Sequence, residues 1–407
     1  MKKEISTNPF NIVVIVAALG YFVDIYDLIL FGIVRVPSLT DIGVPAEQLK
    51  DTGVFLMNMQ MIGMLLGGIV WGILGDKKGR LSTLFLTILL YSLANIANGF
   101  VQTVDQYAIL RIIAGFGLAG ELGIGITLVS EVMSKETRAW GTSIVAGVGI
   151  IGAVLAFWVA EWGWREAYFV GGVLGLLLLA LRVYVHESGM FDKVKHSNVK
   201  RGNFLSLFTN RKRLIKYISC ILIGMPVWFV IGILIMLSKE FGEALGITGP
   251  VNTGKAVMYH YIGAAFGAVI LTYISIKLKS RKKSLLIAIA SLALFCAWYF
   301  SASGSTPTTY YIISFVLGLA MGYWGIFVTV ASEQFGTNIR STVTTTVPNF
   351  VRGTLVGMTT WWGAMSVGMG IIQAAIIVGA VVLVIAFVAV FFLDETHDKD
   401  LDYTEGE

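Results

Sequence analysis

The stretch Gly20-Tyr-Phe-Val-Asp24-Ile-Tyr-Asp27-Leu-Ile-Leu-Phe31-Gly32-Ile-Val-Arg35-Val-Pro37 decides how the chain is read. It lies inside the first long apolar run, which begins near Phe10, and three charged residues interrupt it. An acid at the centre of a membrane helix costs about 2.5–3.5 kcal/mol on insertion scales, so it persists where it has a task or a partner. Asp24 and Asp27 are three residues apart and share one helix face. Two acids on one face in a low dielectric do not both ionise freely, so at least one is expected to hold a proton. One reading is a proton or cation site facing a polar cavity. The other is an acid permanently neutralised by a buried Arg.

The rest of the chain supports a membrane setting. Of 407 residues, 56% are hydrophobic and 14% charged, against about a quarter charged in a soluble protein. Mean hydropathy is +0.79. Apolar runs of spanning length recur throughout and are continuous rather than alternating, which selects helices over a membrane barrel. The reading is an all-α membrane protein with twelve spans: 10–36, 52–75, 81–101, 105–130, 139–160, 166–185, 214–238, 256–277, 284–303, 308–331, 342–364 and 367–393. The 46 glycines suit close helix packing in lipid. Cys220 and Cys296 both fall in spans, so no disulfide is expected. The first run lacks a small-residue cleavage site and reads as a span, not a leader.

Loops after even-numbered spans and the two termini carry 23 of the 30 Lys and Arg, counting Arg182, Lys216 and Lys277 at the span ends that border those loops. Loops after odd-numbered spans carry Lys50, Arg165, Lys239 and Lys255, and the remaining three cations, Arg35, Arg111 and Arg352, are read as intramembrane. The bias places both termini in the cytoplasm of a multi-pass protein of the inner (plasma) membrane.

The longest polar segment, rich in Lys and Arg, falls near the middle. It divides the chain into an N-terminal bundle of six spans (1–185), a cytoplasmic linker (186–213) and a C-terminal bundle of six spans (214–407) with a short acidic tail. A repeat supports the division. Ser130-Glu131 with Arg138 and Ser332-Glu333 with Arg340 show one pattern at one offset, 202 residues. The same offset carries Asp76-Lys-Lys-Gly-Arg80 onto Leu278-Lys-Ser-Arg-Lys282, where the basic character persists and the acid and glycine do not. It also sets Pro226 and Phe229 opposite Asp24 and Asp27, so titratable chemistry in the spans concentrates in the first half. Parallel repeats of this kind describe transporters that bind substrate at the midplane between two halves.

These motifs resemble the major facilitator superfamily. Gly72-Ile-Leu-Gly75-Asp76-Lys77-Lys78-Gly79-Arg80 looks like its signature loop between spans two and three, and Arg111-Ile-Ile-Ala-Gly115-Phe-Gly117 resembles its fourth-span Arg motif. The two Ser-Glu/Arg loops resemble those of its sugar-porter and organic-ion branches. Glu187-Ser188-Gly189-Met190-Phe191 resembles the motif after span six, with Gly189 for the usual Pro, and Glu395-Thr396 with Leu401 resembles the end-of-chain motif. The resemblance implies a twelve-helix major facilitator fold in which Gly72, Asp76, Gly79, Arg80, Glu131, Arg138, Glu333 and Arg340 latch the halves on the cytoplasmic side. The glycines of the Gly75–Arg80 loop are read as turn residues. Asp76 can cap a helix or pair with the other half, Arg80 can pair with Glu131, and Glu131–Arg138 and Glu333–Arg340 are expected as structural and gating pairs.

Ile25-Tyr26-Asp27 resembles the Gly-Tyr-Asp of proton-coupled sugar porters and aromatic-acid symporters, with Ile25 for Gly. The resemblance implies that Asp27 carries the proton and pairs with Arg111 when ionised. Asp24 is an additional acid that tunes Asp27 or meets substrate, and Glu121 is a further buried acid in a Gly-rich run. Arg352 is twelve residues beyond Arg340, about three turns into span eleven. There, by resemblance to organic-anion members, it binds an anion with its fixed fork. Asn349 shares its face and can add a hydrogen bond. Tyr26, Tyr323 and Trp324 are candidates to stack a ring substrate. Arg35, about 16 Å along the helix from Asp24, sits near the outer surface, where it snorkels, bridges to the 38–51 loop or attracts anions. The loop after span one is short, which sets the chain apart from animal organic-anion transporters and nearer the prokaryotic symporters.

No Gly-Lys-Ser phosphate loop and no metal-spaced His/Cys cluster is present, so neither an enzyme nor a cofactor is expected. The expectation is a proton-coupled symporter of a small organic anion, a carboxylate or aromatic acid, working as a monomer in the lipid bilayer with H+ as coupling ion and without nucleic acid. A proton–sugar symporter, a cation exporter and a non-transporting sensor remain the alternatives.

Overall fold

The computed structural model describes residue 8 and residues 10–134, 137–181 and 201–405. The motif at 187–191 and most of the expected linker lie outside them. Among the described residues the chain is helical, with spans α1 (Ile12–Asp41), α2 (Ala46–Lys78), α3 (Arg80–Asn98), α4 (Val104–Val132), α5 (Trp140–Ala160), α6 (Trp164–Leu181), α7 (Arg211–Ile235), α8 (Thr253–Lys277), α9 (Arg281–Phe300) and α10 (Pro307–Gln334). A last continuous run, Arg340–Phe392, has 53 residues. At 1.5 Å per residue it would be about 80 Å long, more than twice a bilayer core. It breaks at Gly370 (φ 82°, ψ 160°), a backbone open to glycine, and so gives α11 (340–369) and α12 (371–392). That turn lies later than the 364–367 connection expected from hydropathy, and the Trp362 indole N–H closes it on the Ile371 carbonyl at 3.0 Å.

Polar side chains fix the helix starts. Asn11, Thr103, Asn210, Asn252, Ser280 and Thr306 each accept from backbone N–H groups of the first turn, and Pro307 follows its cap where its missing N–H costs nothing. Between α2 and α3 only Gly79 turns the chain, with φ 112°. Gly75 is helical, contrary to the turn role given to the glycines of the Gly75–Arg80 loop, and Gly72 is helical too. Their missing side chains admit α11 instead: a Cβ on Gly72 would touch the Thr342 backbone, and one on Gly75 would strike the Ser341 hydroxyl.

The repeat is built into the backbone. The α4 helix is interrupted between Leu118 and Glu121, and α10 between Met321 and Trp324. Gly63, Gly67 and Gly115 let α2 and α4 touch backbone to backbone, as Gly263, Gly267 and Gly318 do for α8 and α10. A Tyr107–Tyr168 hydroxyl pair at 2.7 Å has its counterpart in Tyr310–Tyr299 at 2.7 Å. The result is two six-helix bundles, α1–α6 and α7–α12, facing each other.

Candidate functional site

The centre between the bundles is nearly closed. A cavity of about 20 Å³, room for about one water, is bounded by Tyr21, Ile25 and Leu28 of α1, Ile150 of α5, Trp228 of α7, Tyr261 of α8, Trp324 of α10 and Arg352 of α11, among others. The α1 residues follow one helix face at spacings of three and four.

Arg352 is 1% exposed. Its Nη1 donates to Asn349 Oδ1 at 3.0 Å, and its Nη2 lies 4.0 Å from Asp24 Oδ2 in the other bundle. The guanidinium carbon stands 5.7 Å from the Trp324 ring centre and 6.0 Å from that of Trp228. Nε and Nη2 have no acceptor in hydrogen-bond geometry. Asn349 is not free to donate to a ligand in this state: its amide donates to the Ala119 carbonyl across the interface and to the Thr345 carbonyl, both at 2.7 Å. It aims Arg352.

The first-half acids are arranged differently from the expectation. No ion pair joins Asp27 to Arg111 among the described residues. Arg111 Nη1 donates to the Tyr168 hydroxyl at 3.3 Å, and its guanidinium lies 5.2 Å from the Phe31 ring centre. Asp27 is fully buried beside Gly171 and near Asn95, and neither oxygen makes a well-formed hydrogen bond. Asp24, not Asp27, meets the second bundle, and buried Glu121 is close enough to act electrostatically on Asp24. Two of the aromatic candidates face elsewhere: the Tyr26 hydroxyl donates to the Ala167 carbonyl at 2.8 Å and that of Tyr323 to Ile223 at 2.9 Å. Trp324 does line the centre. Tyr21, Trp228 and Tyr261 line it too and were not anticipated. Tyr21 was within reach of the sequence, being three residues before Asp24 on the same face.

One end of the bundle interface carries a dense polar lattice. Asp76 accepts from Ser341 N at 3.1 Å and from Thr342 N and Oγ1, both at 2.7 Å, capping α11 of the opposite bundle. Arg80 Nη2 donates to Glu131 Oε1 at 2.8 Å and reaches the Thr337 carbonyl at 3.4 Å. The loops exchange partners relative to the expected Glu131–Arg138 and Glu333–Arg340 pairs. Glu131 meets Arg340 at 3.4 Å, and Glu333 meets Arg138 at 3.7 Å, so both pairs cross between bundles. Arg281, one place before the Lys282 chosen by the 202-residue offset, takes the position of Arg80 and reaches Glu333 at 3.4 Å. The tail closes over the lattice: Arg340 Nη2 donates to the Leu401 carbonyl at 2.6 Å and Arg138 Nη1 to that of Lys399 at 3.2 Å. Burial would push the Arg138 guanidinium down from its ordinary value, and Glu333 opposes that.

At the other end, Arg35 neither snorkels nor bridges to an acid of the 38–51 loop. It pairs with Glu240 of the second bundle at 2.6 Å, and its Nη1 lies 3.5 Å from the Leu49 carbonyl.

The sequence profile described as Major Facilitator Superfamily matches residues 17–353. The chain belongs to this superfamily. It is 26% identical over 395 residues to a protein of Cupriavidus pinatubonensis named "Probable 4-methylmuconolactone transporter", covering 93% of this chain and 89% of that one. It is 27% identical over 372 residues to the niacin transporter NiaP of Acinetobacter baylyi, covering 80% of each. In fold it is similar to the proton:xylose symporter XylE bound to 6-bromo-6-deoxy-D-glucose, with a TM-score of 0.75, 17% identity, and coverage of 96% of this chain and 97% of that one. This superfamily member is a multi-pass membrane transporter of small molecules, not an enzyme.

Proposed function

We propose that this transporter is a proton-coupled symporter of small organic anions, carboxylates or aromatic acids, working by alternating access between its two bundles. The observation that carries the reading is Arg352: a buried guanidinium at the centre of the interface, walled by Trp228, Trp324, Tyr21 and Tyr261, with Nε and Nη2 without a well-formed hydrogen bond and its counter-charge 4.0 Å from Nη2. A planar carboxylate on an aromatic ring fits such a fork and such walls, whereas a neutral sugar leaves the cation unmatched. Relatives named for niacin and 4-methylmuconolactone are consistent with this substrate class.

Asp24 supplies the coupling. When ionised it holds Arg352 across the interface; when protonated it releases the fork to the substrate carboxylate. Asp27 and Glu121 complete the acid cluster, and Arg111 is the second cation of the first bundle. The Asp76–Arg80–Glu131–Arg340 lattice closes the cytoplasmic side, which the Lys and Arg bias assigns to the end carrying Lys77, Lys78, Lys282 and Lys283. Both termini then lie in the cytoplasm and the chain acts as a monomer in the plasma membrane.

In proteoliposomes, Asp24→Asn is expected to retain substrate exchange and to lose pH-driven accumulation. Arg352→Gln is expected to raise the Kd of a transported carboxylate by about 10- to 100-fold, the factor for a lost charge-assisted hydrogen bond. Wild-type accumulation by Asp24→Asn would refute the coupling role, and wild-type affinity in Arg352→Gln would refute the binding site.

A further inference from the structure

The two ends of the bundle interface are closed by unequal barriers. From Leu28, at the central cavity, toward the end carrying Arg35, α1 meets the second bundle at Gly32 against Met236, at Ile33 beside Gly254, and at Arg35, whose pairing with Glu240 is the charged one of the three. Arg35 is 3% exposed and its stem lies on Gly53 of α2, which leaves no room for a side chain there. The pair is single-toothed. Arg35 Nη2 meets Glu240 Oε1, while Arg35 Nε has no acceptor and Glu240 Oε2 no donor. Near the pair lies a cavity of about 400 Å³ lined by Val34, Val36 and Lys239, sequence neighbours of Arg35 and Glu240, and by Phe157, Glu161 and Asn252; Arg35 and Glu240 themselves do not line it.

Glu240 also stands just beyond an irregular stretch of backbone. The end of α7 winds as a π-helix over Val230–Ile235, and Leu237 (φ −107°, ψ 29°) separates it from the short helix Ser238–Ala244 that bears Glu240. Such π segments are rare and occur frequently at functional sites.

We propose that the Arg35–Glu240 pair is the outer gate, opened when an incoming carboxylate replaces Glu240 on Arg35. A ligand carboxylate can engage Nη2 and Nε together, two parallel bonds where Glu240 makes one. Lys239 offsets Glu161 at the cavity mouth, so the approach is not closed to an anion. Arg35 thereby becomes a first docking point, reached before Arg352. The ligand half of this inference rests on the organic-anion reading; the gate half does not.

The test uses the full chain in right-side-out vesicles, with Cys220 and Cys296 replaced by Ser and Ala264, on the central cavity wall, replaced by Cys. A membrane-impermeant maleimide reaches that thiol from outside only through the gate. Glu240→Gln is expected to accelerate labelling about 10- to 100-fold, the factor for losing a charge-assisted hydrogen bond. The charge swap Arg35→Glu/Glu240→Arg is expected to return labelling to the parent rate, which separates a gate from a folding defect. Benzoate is expected to accelerate the parent and not Glu240→Gln. Parent-like labelling in Glu240→Gln, or fast labelling in the swap, overturns the gate. Benzoate that raises thermal stability yet leaves labelling unchanged overturns the carboxylate trigger. If benzoate, nicotinate and gentisate all fail to stabilise the protein, the organic-anion reading falls with that trigger, and the Glu240→Gln rate alone still decides the gate.

Discussion

Replacing Asp76 by Ala removes a cap that one bundle places on the other. The carboxylate accepts two backbone N–H groups and one hydroxyl of α11, at 2.7–3.1 Å, and Arg80 stands 3.5 Å away. Hydrogen bonds to a charged group contribute about 1.5–3 kcal/mol each in isolation, but the three share one carboxylate and are not additive. A lost N-cap costs about 0.5–2 kcal/mol, and the stranded Arg80 retains Glu131. About 3 kcal/mol for the set is a reasonable magnitude, which is about two orders of magnitude in an equilibrium constant. All three donors belong to the opposite bundle, so the loss falls on the state closed at this end and not on either bundle's own fold. Spin labels at exposed Ser82 and Lys279, beside the α2–α3 and α8–α9 connections, report that opening by pulsed electron resonance. The expected outcome is a second, longer distance that dominates in Asp76→Ala, with an unchanged melting temperature in a ligand that locks the carrier open to that side. An unchanged distance distribution would show that the cap does not hold the end shut, and the lattice reading would fail with it.

Two further outcomes follow from local geometry. Gly171→Ala places a methyl onto the Asp27 carboxyl and against the Tyr26 ring, both rigidly buried; it should destabilise the protein by about 1–3 kcal/mol, read as a lower melting temperature, whereas the same change at Gly357, which meets nothing within 4 Å, should not. Burial alone would raise the Glu395 carboxyl, but hydrogen bonds from the Ser280 hydroxyl and from Arg281, His397 and Lys282 N–H groups outweigh it and hold Glu395 below its ordinary value. Its contribution to tail docking is therefore complete above the unfolded value near 4.5, and is lost as pH falls through the lower folded value. Proteolysis within the tail should thus be flat between pH 6 and 8 and should rise only in acid.

The fold was legible because its signals are local or periodic. Apolar runs mark the spans, Lys and Arg mark one face, and the Glu131/Glu333 and Arg138/Arg340 offset marks the repeat. Even the helix breaks repeat, with Leu118 and Glu121 answered by Met321 and Trp324. Pairing across the interface was not legible. Each Glu has an Arg in its own loop at a plausible spacing and an equivalent Arg in the other half, and sequence cannot choose between two chemically identical partners. The same holds at the centre, where Asp24 and Asp27 differ by one helix turn and only the packing of α1 shows which of them faces Arg352. Trp228 and Tyr261 carry no motif at all; they become site residues through the positions of α7 and α8.

The charges buried near the midplane constrain how coupling can work. Arg352 and Arg111 are two cations; Asp24, Asp27 and Glu121 are three acids; all five are buried. A net charge held there would cost several kcal/mol, so the proposed coupling takes the occluded empty carrier as neutral, with one proton on the acids. On the proposed reading that proton sits on Asp27, which has no ion pair among the described residues, whereas Asp24 has Arg352 at 4.0 Å. On the proposed reading, a substrate carboxylate that joins Arg352 adds one negative charge, and occlusion then needs a second proton, which Asp24 accepts as it gives up Arg352. Carriers holding the anion without that proton, or the proton without the anion, are charged at the centre and resist closure. On that reading only the empty and the doubly loaded forms cross, which would be symport. One extra proton then accompanies each monocarboxylate, so uptake of such an anion into vesicles should respond to a pH gradient and be indifferent to an imposed potential at constant pH. A potential that drives accumulation by itself would mean that a charged centre can occlude, and the neutrality on which this coupling rests would be wrong.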